Sequence, residues 1–78
     1  MELVLYTWNR CSFCERARRL LDERGREYRE EKLDGRRELL RRLQKTSGHR
    51  TVPLFMVDGE ILGGLPELEA WLEASAND

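Results

Sequence analysis

Leu3-Val4-Leu5-Tyr6-Thr7-Trp8-Asn9-Arg10-Cys11-Ser12-Phe13-Cys14 carries the chain from an unbroken apolar run into a stretch of helical periodicity, with both cysteines of the protein at the joint. An apolar run without alternation is expected of a central strand covered on both faces. A strand therefore delivers Cys11 and Cys14 to a helix start. The first N–H groups of a helix are unpaired and its dipole is positive there, so a sulfur at that point is favoured as thiolate. Free cysteine has a pKa of about 8.5, which helix N-termini, nearby cations and the Cys-x-x-Cys arrangement lower to roughly 3.5–7.5. Arg10 supplies such a cation. Cys11 reads as the attacking thiolate and Cys14, one turn into the helix and facing the core with Phe13 and Ala17, as the resolving thiol.

A structural staple is the competing reading. In the chain-entropy model a bridge closing four residues stabilises by about 2 kcal/mol and one spanning ~100 residues by about 4.7. The short span is poor for stapling and suits reversible exchange. A tetrahedral zinc site needs four ligands, and His49 is the one other soft ligand, so structural zinc does not fit.

Working outward, Phe13, Ala17, Leu20, Leu21 and Arg24 mark one face of a helix from Cys11 to about Arg24, closed by Gly25. Residues 26–33 are nearly all charged and read as an edge strand, since charge on an exposed edge discourages pairing between molecules. Asp34-Gly35 turns the chain into a second helix, about Arg36 to Thr46, with Leu39, Leu40 and Leu43 as its apolar stripe and Gly48 at its cap. His49 follows in a loop and reads as an ordinary exposed histidine. Thr51-Val52-Pro53 precedes the apolar run Leu54-Phe55-Met56-Val57; a proline there marks a strand's first residue, an edge or a cis turn. Asp58-Gly59 before Glu60-Ile61-Leu62 is a hairpin signal. Gly63-Gly64 permits a tight turn. Pro66 suits the start of a final helix, with Leu65, Leu68, Trp71 and Leu72 on its inner face. Ser75 to Asp78 should fray.

The totals set bounds. Seventy-eight residues, 40% hydrophobic and 37% charged, imply one domain with a thin core, 1–78. No apolar run nears the ~20 residues of a membrane span and no signal-peptide pattern opens the chain, so a cytoplasmic protein with no membrane partner is expected. Net charge is −1, which argues against nucleic acid, yet all fourteen Lys and Arg lie at or before Arg50. With nine acids there, residues 1–50 carry 14 − 9 = +5; residues 51–78 carry six acids and no base, −6. Solvated helix faces account for this pattern, and an acidic patch that selects a protein partner is the sharper alternative.

The order β-α-β-α-β-β-α, with Tyr6-Thr7, Cys11-Ser12-Phe13-Cys14, Thr51-Val52-Pro53 and Gly63-Gly64 in sequence, resembles the glutaredoxins of the thioredoxin-fold superfamily over nearly the whole chain. The resemblance implies an α/β fold with a four-stranded mixed sheet flanked by three helices. It also implies a cis Val52–Pro53 peptide facing the redox pair, with the Val52 backbone free to pair with the cysteinyl part of glutathione, and a γ-glutamyl carboxylate held at the Gly63-Gly64 turn and the helix start after it. The glutathione-binding set carried over is Arg10, Phe13, Arg50, Thr51, Val52, Pro53, Gly64, Leu65 and Glu67. Trp8 stands where the family commonly has lysine, so Arg10 or Arg50 must supply that cation; Pro66-Glu67 stands where two acids are usual. Ser12 replaces the more usual proline.

The activity implied is that of a monomeric, glutathione-linked thiol–disulfide oxidoreductase acting on disulfide-bearing proteins or glutathione mixed disulfides. Two alternatives accompany it. One is a donor reduced by thioredoxin reductase, although the Trp-Ser-Gly-Phe-Arg-Pro block of the ribonucleotide reductase donors is absent. The other is a dimeric carrier of a [2Fe–2S] cluster held by Cys11 and glutathione, a property of some members with serine or glycine at the position of Ser12.

Overall fold

The computed structural model describes residues 1–75. The elements run β1 (Leu3–Thr7), α1 (Ser12–Glu23), β2 (Arg29–Lys32), α2 (Arg37–Ser47), β3 (Leu54–Val57), β4 (Glu60–Gly63) and α3 (Leu65–Ala74). They form one four-stranded sheet in the order β2-β1-β3-β4. β1 pairs parallel with β2 and antiparallel with β3, and β3 pairs antiparallel with β4, which makes the sheet mixed. The expected order of elements and the expected fold class are both observed. The fraying expected of Ser75 to Asp78 concerns residues that lie, after Ser75, outside those described.

The unbroken apolar run of β1 has a simple cause, since its residues alternate between two cores. Leu3 and Leu5 pack with Phe55 of β3, Ala17 and Leu21 of α1, and Leu68 and Leu72 of α3. Val4 and Tyr6 face the other way, onto Leu54, Leu33, Cys14, Val52 and Leu43 of α2. One face of the sheet thus carries α1 and α3, the other α2. Burying a side chain such as Leu5, 0% exposed, stabilises by roughly 1.5–3 kcal/mol.

The charged stretch 26–33 does form an edge strand, and its charges find partners. Arg29 pairs with Glu2 and Glu31, Arg36 with Glu31, and Arg18 of α1 with Glu30 at 2.7 Å. At the other edge, Asp58 and Gly59 both take positive φ, 49° and 85°, the conformation a two-residue hairpin of matching twist requires. Val57 pairs with Glu60 and Met56 with Ile61, but Phe55 pairs with Gly63, so Leu62 is an extra residue. This bulge turns the end of β4 towards Gly63-Gly64 and the start of α3.

One sequence expectation fails. Phe13 was placed on the buried stripe of α1 with Ala17 and Leu21, and it is instead 61% exposed. The buried place in the first turn goes to Cys14, and Phe13 turns instead to a cleft that it lines with Val52, Pro53 and Leu65. Arg24, assigned to the same stripe, is also exposed and reaches across to donate to the Leu72 carbonyl of α3 at 3.2 Å.

Candidate active site

Cys11 is the N-cap of α1, with extended backbone (φ −120°, ψ 107°), and its Sγ accepts the Cys14 N–H at 3.1 Å. Cys11 and Cys14 are joined in a disulfide whose Cα atoms are 5.2 Å apart. The two sulfurs differ in access. Cys14 is 0% exposed and packed among Val4, Tyr6 and Val52, whereas Cys11 is half-buried at the edge of the same cluster. Cys11 Sγ lies 4.0 Å from the Val52 carbonyl oxygen, a van der Waals approach while the sulfur is in the disulfide and carries no proton.

The loop ahead of the pair is tied to the end of the neighbouring strand β2, continuing the parallel Thr7–Lys32 register. Asn9 N–H donates to both carboxylate oxygens of Asp34, at 3.0 and 3.1 Å, and Lys32 Nζ donates to Asn9 Oδ1 at 3.0 Å. Trp8 packs against the α2-side core. Arg10, exposed, takes a left-handed φ of 56° to turn the chain into the helix.

Facing this helix start is a second wall. The Val52–Pro53 peptide is cis, and both residues are buried. α3 begins tightly against it: a Cβ on Gly64 would stand 3.3 Å from the Pro53 carbonyl oxygen, and one on Gly63, whose φ is 139°, would stand 2.6 Å from Glu67 Cγ. Gly63 therefore requires glycine, and at Gly64 a side chain would have to push the Pro53 carbonyl back. Glu67 Oε1 accepts the Gly64 N–H at 2.8 Å, the reach-back half of a capping box; glycine has no side chain for the other half. The same oxygen lies 3.8 Å from His49 Nε2, an ion pair whenever the imidazole is protonated.

Between the walls is a concave pocket of about 440 Å³ lined by Phe13, His49, Thr51, Val52, Pro53, Gly64, Leu65, Pro66 and Glu67. It gathers every residue proposed from sequence for glutathione except Arg10 and Arg50, which are exposed and outside its lining. Phe13 lines it because it is exposed. His49 and Pro66 line it without having been proposed. The available signal for His49 was its place two residues before Thr51, in the loop that leads to the cis peptide.

The family model for glutaredoxin matches residues 3–62. This chain belongs to the glutaredoxin family. It is 35% identical over 66 residues to Glutaredoxin 3 of Escherichia coli strain K12, covering 85% of this chain and 80% of that protein. It is 34% identical over 76 residues to a glutaredoxin of Pseudomonas aeruginosa, covering 97% of this chain and 90% of the other. Among solved structures, a buckwheat glutaredoxin–glutathione complex superposes with a TM-score of 0.84 at 27% identity, over 92% of this chain and 68% of that one. Glutaredoxins are thiol–disulfide oxidoreductases, and Cys11–Cys14 is the redox-active pair of this one.

The described chain offers one accessible sulfur towards an iron–sulfur cluster. Among the described residues no three His, Cys, Asp or Glu side chains converge as a metal site. Cys14 is buried, which leaves Cys11 as the single accessible sulfur. A shared cluster would take Cys11 from each of two chains together with glutathione thiols, ligands that one chain does not hold.

Proposed function

We propose that this glutaredoxin reduces disulfides at the expense of glutathione, with Cys11 as nucleophile. The reading rests on one asymmetry: of two sulfurs within bonding reach, Cys11 is accessible and receives a backbone N–H, while Cys14 is enclosed. In the reduced protein the Cys11 thiolate attacks one sulfur of the substrate disulfide. That S–S bond breaks, the other substrate sulfur leaves as a thiolate and takes up a proton, and a mixed disulfide at Cys11 remains. Cys14 gives up its proton and attacks the Cys11 sulfur, releasing the second substrate thiol and leaving Cys11–Cys14 oxidised. Two glutathione thiols return the pair to the dithiol and become glutathione disulfide. For a glutathione mixed disulfide, a glutathione thiol takes the place of Cys14.

Glutathione fits the pocket in an extended pose. The Thr51–Val52 backbone pairs with its cysteinyl unit as a short added strand. Pro53 and Phe13 pack against it. Leu65, at the α3 start beside Gly64, takes the γ-glutamyl carboxylate, Glu67 faces the γ-glutamyl ammonium, and Arg10 or Arg50 answers the glycyl carboxylate. The protein works as a cytoplasmic monomer on disulfide-bearing proteins. No helix among the described residues is long and apolar enough to cross a membrane.

Cys11→Ser should abolish turnover of a small glutathione mixed disulfide, and Cys14→Ser should retain part of it. Equal loss in both variants would contradict a monothiol route.

One observation favours a second reductant. Pro66 has no N–H, and Glu67 already holds that of Gly64, so the α3 start is poor in free donors for a carboxylate. Reduction by thioredoxin reductase is the corresponding second reading. Coupled NADPH oxidation separates the two: turnover with glutathione and its reductase supports the first, and turnover with thioredoxin reductase alone would replace it.

A further inference from the structure

Helix α2 stands apart in how its charges are arranged. Arg37, Arg41 and Lys45 recur at i, i+4 and i+8 with Arg42 beside them, and Glu38 is its one acid. All four cations are exposed. Among the described residues none of them forms an ion pair or a side-chain hydrogen bond, whereas Arg16, Arg18, Arg29 and Arg36 each meet a carboxylate. Arg24 and Arg26 likewise bond the end of α3. Those cations meet partners within the fold; the cations of α2 repel one another at helical spacing, and Glu38, three and four residues before Arg41 and Arg42, is the one acid on the helix to set against them.

The surface continues towards the redox pair. Arg41, Gln44, Lys45, Gly48 and Arg50 line one depression of about 670 Å³. Gln44 Nε2 donates to the Arg50 carbonyl at 2.9 Å and the Gly48 N–H to the Gln44 carbonyl at 2.9 Å, so the loop is held against the helix. Arg50 leads directly into Thr51-Val52-Pro53 on the pocket wall. The track of positive charge therefore ends where a substrate disulfide must arrive.

We infer that the α2 face from Arg37 to Lys45, continued by Arg50, docks an acidic segment of the protein whose disulfide this glutaredoxin reduces. This rests on the oxidoreductase reading above. The face suits a peptide: α2 is about 16 Å long, a span covered by about five extended residues. A long polyanion such as nucleic acid would also meet the −6 of residues 51–78.

The test uses two peptides that share one intramolecular disulfide, one flanked by five Asp/Glu residues and one by the corresponding Asn/Gln, together with hydroxyethyl disulfide as a neutral small substrate. At low salt kcat/KM should be about tenfold higher for the acidic peptide, and the difference should vanish near 1 M salt, where the Debye length is about 3 Å. The triple variant R37Q/R41Q/K45Q should lose the preference and keep wild-type turnover of hydroxyethyl disulfide. Arg41→Gln alone, a minimal change on an exposed helix position, should reduce the preference about threefold if the triple variant melts early. Equal rates on both peptides, or a preference that survives the substitutions, would overturn the docking surface alone. Failure of the wild type on all three disulfides would instead remove the oxidoreductase reading, and the docking surface with it.

Discussion

Glu67 Oε1 accepts the Gly64 N–H at 2.8 Å across the first turn of α3, so the carboxylate that faces the pocket also fixes the turn that shapes it. Its two roles separate by substitution. Glu67→Ala removes both the amide acceptor and the charge, and should cost about 0.5–2 kcal/mol of stability, as loss of a capping contact does. Glu67→Gln keeps an oxygen for the Gly64 amide and loses only the charge. It should melt close to wild type while kcat/KM for glutathione mixed disulfides falls about 3–10-fold, the equivalent of roughly 0.7–1.4 kcal/mol. Thermal melts and the coupled assay on both variants check this; full activity in Glu67→Gln would remove Glu67 from the binding set.

Pro66 is exposed at the second position of α3, where any other residue would present a free N–H. Pro66→Ala restores that donor beside Gly64 and Leu65. The KM for glutathione should fall about 3–10-fold with kcat unchanged, the net worth of one ordinary hydrogen bond. An unchanged KM would mean that the helix start does not hold the γ-glutamyl carboxylate.

Access and hydrogen bonding both distinguish the two thiols once the disulfide is reduced. Cys14 is 0% exposed, and its own N–H points at Cys11 Sγ. Brief iodoacetamide treatment of the reduced protein near neutral pH should therefore alkylate Cys11 at least about tenfold faster than Cys14. Peptide mapping by mass spectrometry reads the ratio, and comparable labelling of Cys14 would contradict the assignment of Cys11 as nucleophile.

Much of this arrangement is legible in the sequence because its signals are local. β1 announces itself as an apolar run, the hairpin through Asp58-Gly59, the substrate wall through Thr51-Val52-Pro53, and the α3 start through Gly63-Gly64 and Pro66. What escapes is set by contacts between distant residues. The periodicity that places Ala17 and Leu21 in the core cannot tell that Phe13, on the same stripe, faces the pocket and leaves the buried place to Cys14. His49 becomes a pocket residue because its loop lies against Glu67, 18 positions further on. The bulge at Leu62 leaves no mark in composition. Nor does the charged run 26–33 indicate that Glu30 is the member that ties the strand to Thr7 and Arg18.

Tyr28 leads into β2 and packs on the core that α1 and α3 cover. Burial, and then the carboxylates of Asp22 and Glu30, push its phenol above the ordinary value of 10.0, against an opposing pull from Arg18. In the unfolded chain the phenol loses its proton first. Just above pH 10 the unfolded state thus binds fewer protons than the folded one, and stability falls as pH rises. The contribution is intact below that pH and is lost as pH climbs through the folded value. Tyr28→Phe should melt like wild type at pH 8 and show a shallower decline in Tm above pH 10; parallel declines would mean that other groups govern alkaline unfolding.

The hydroxyl of Thr7, a residue with 0% exposure, donates to Glu30 Oε2 at 2.6 Å, and Arg18 Nη1 donates to the same oxygen at 2.7 Å. One carboxylate thereby joins β1, β2 and α1 directly behind the redox loop. Glu30→Ala strands the buried hydroxyl and should cost about 1–3 kcal/mol, a large share of the ~3–5 kcal/mol that a core of this size supplies. Thr7→Val removes the hydroxyl at nearly constant volume and leaves Glu30 its bond to Arg18. If the loss in Glu30→Ala comes from the stranded hydroxyl, adding Thr7→Val to it should recover part of the stability, because both partners are then gone. Urea midpoints of the two single variants and the double variant measure this coupling. Additive losses would show that Thr7 and Glu30 act independently.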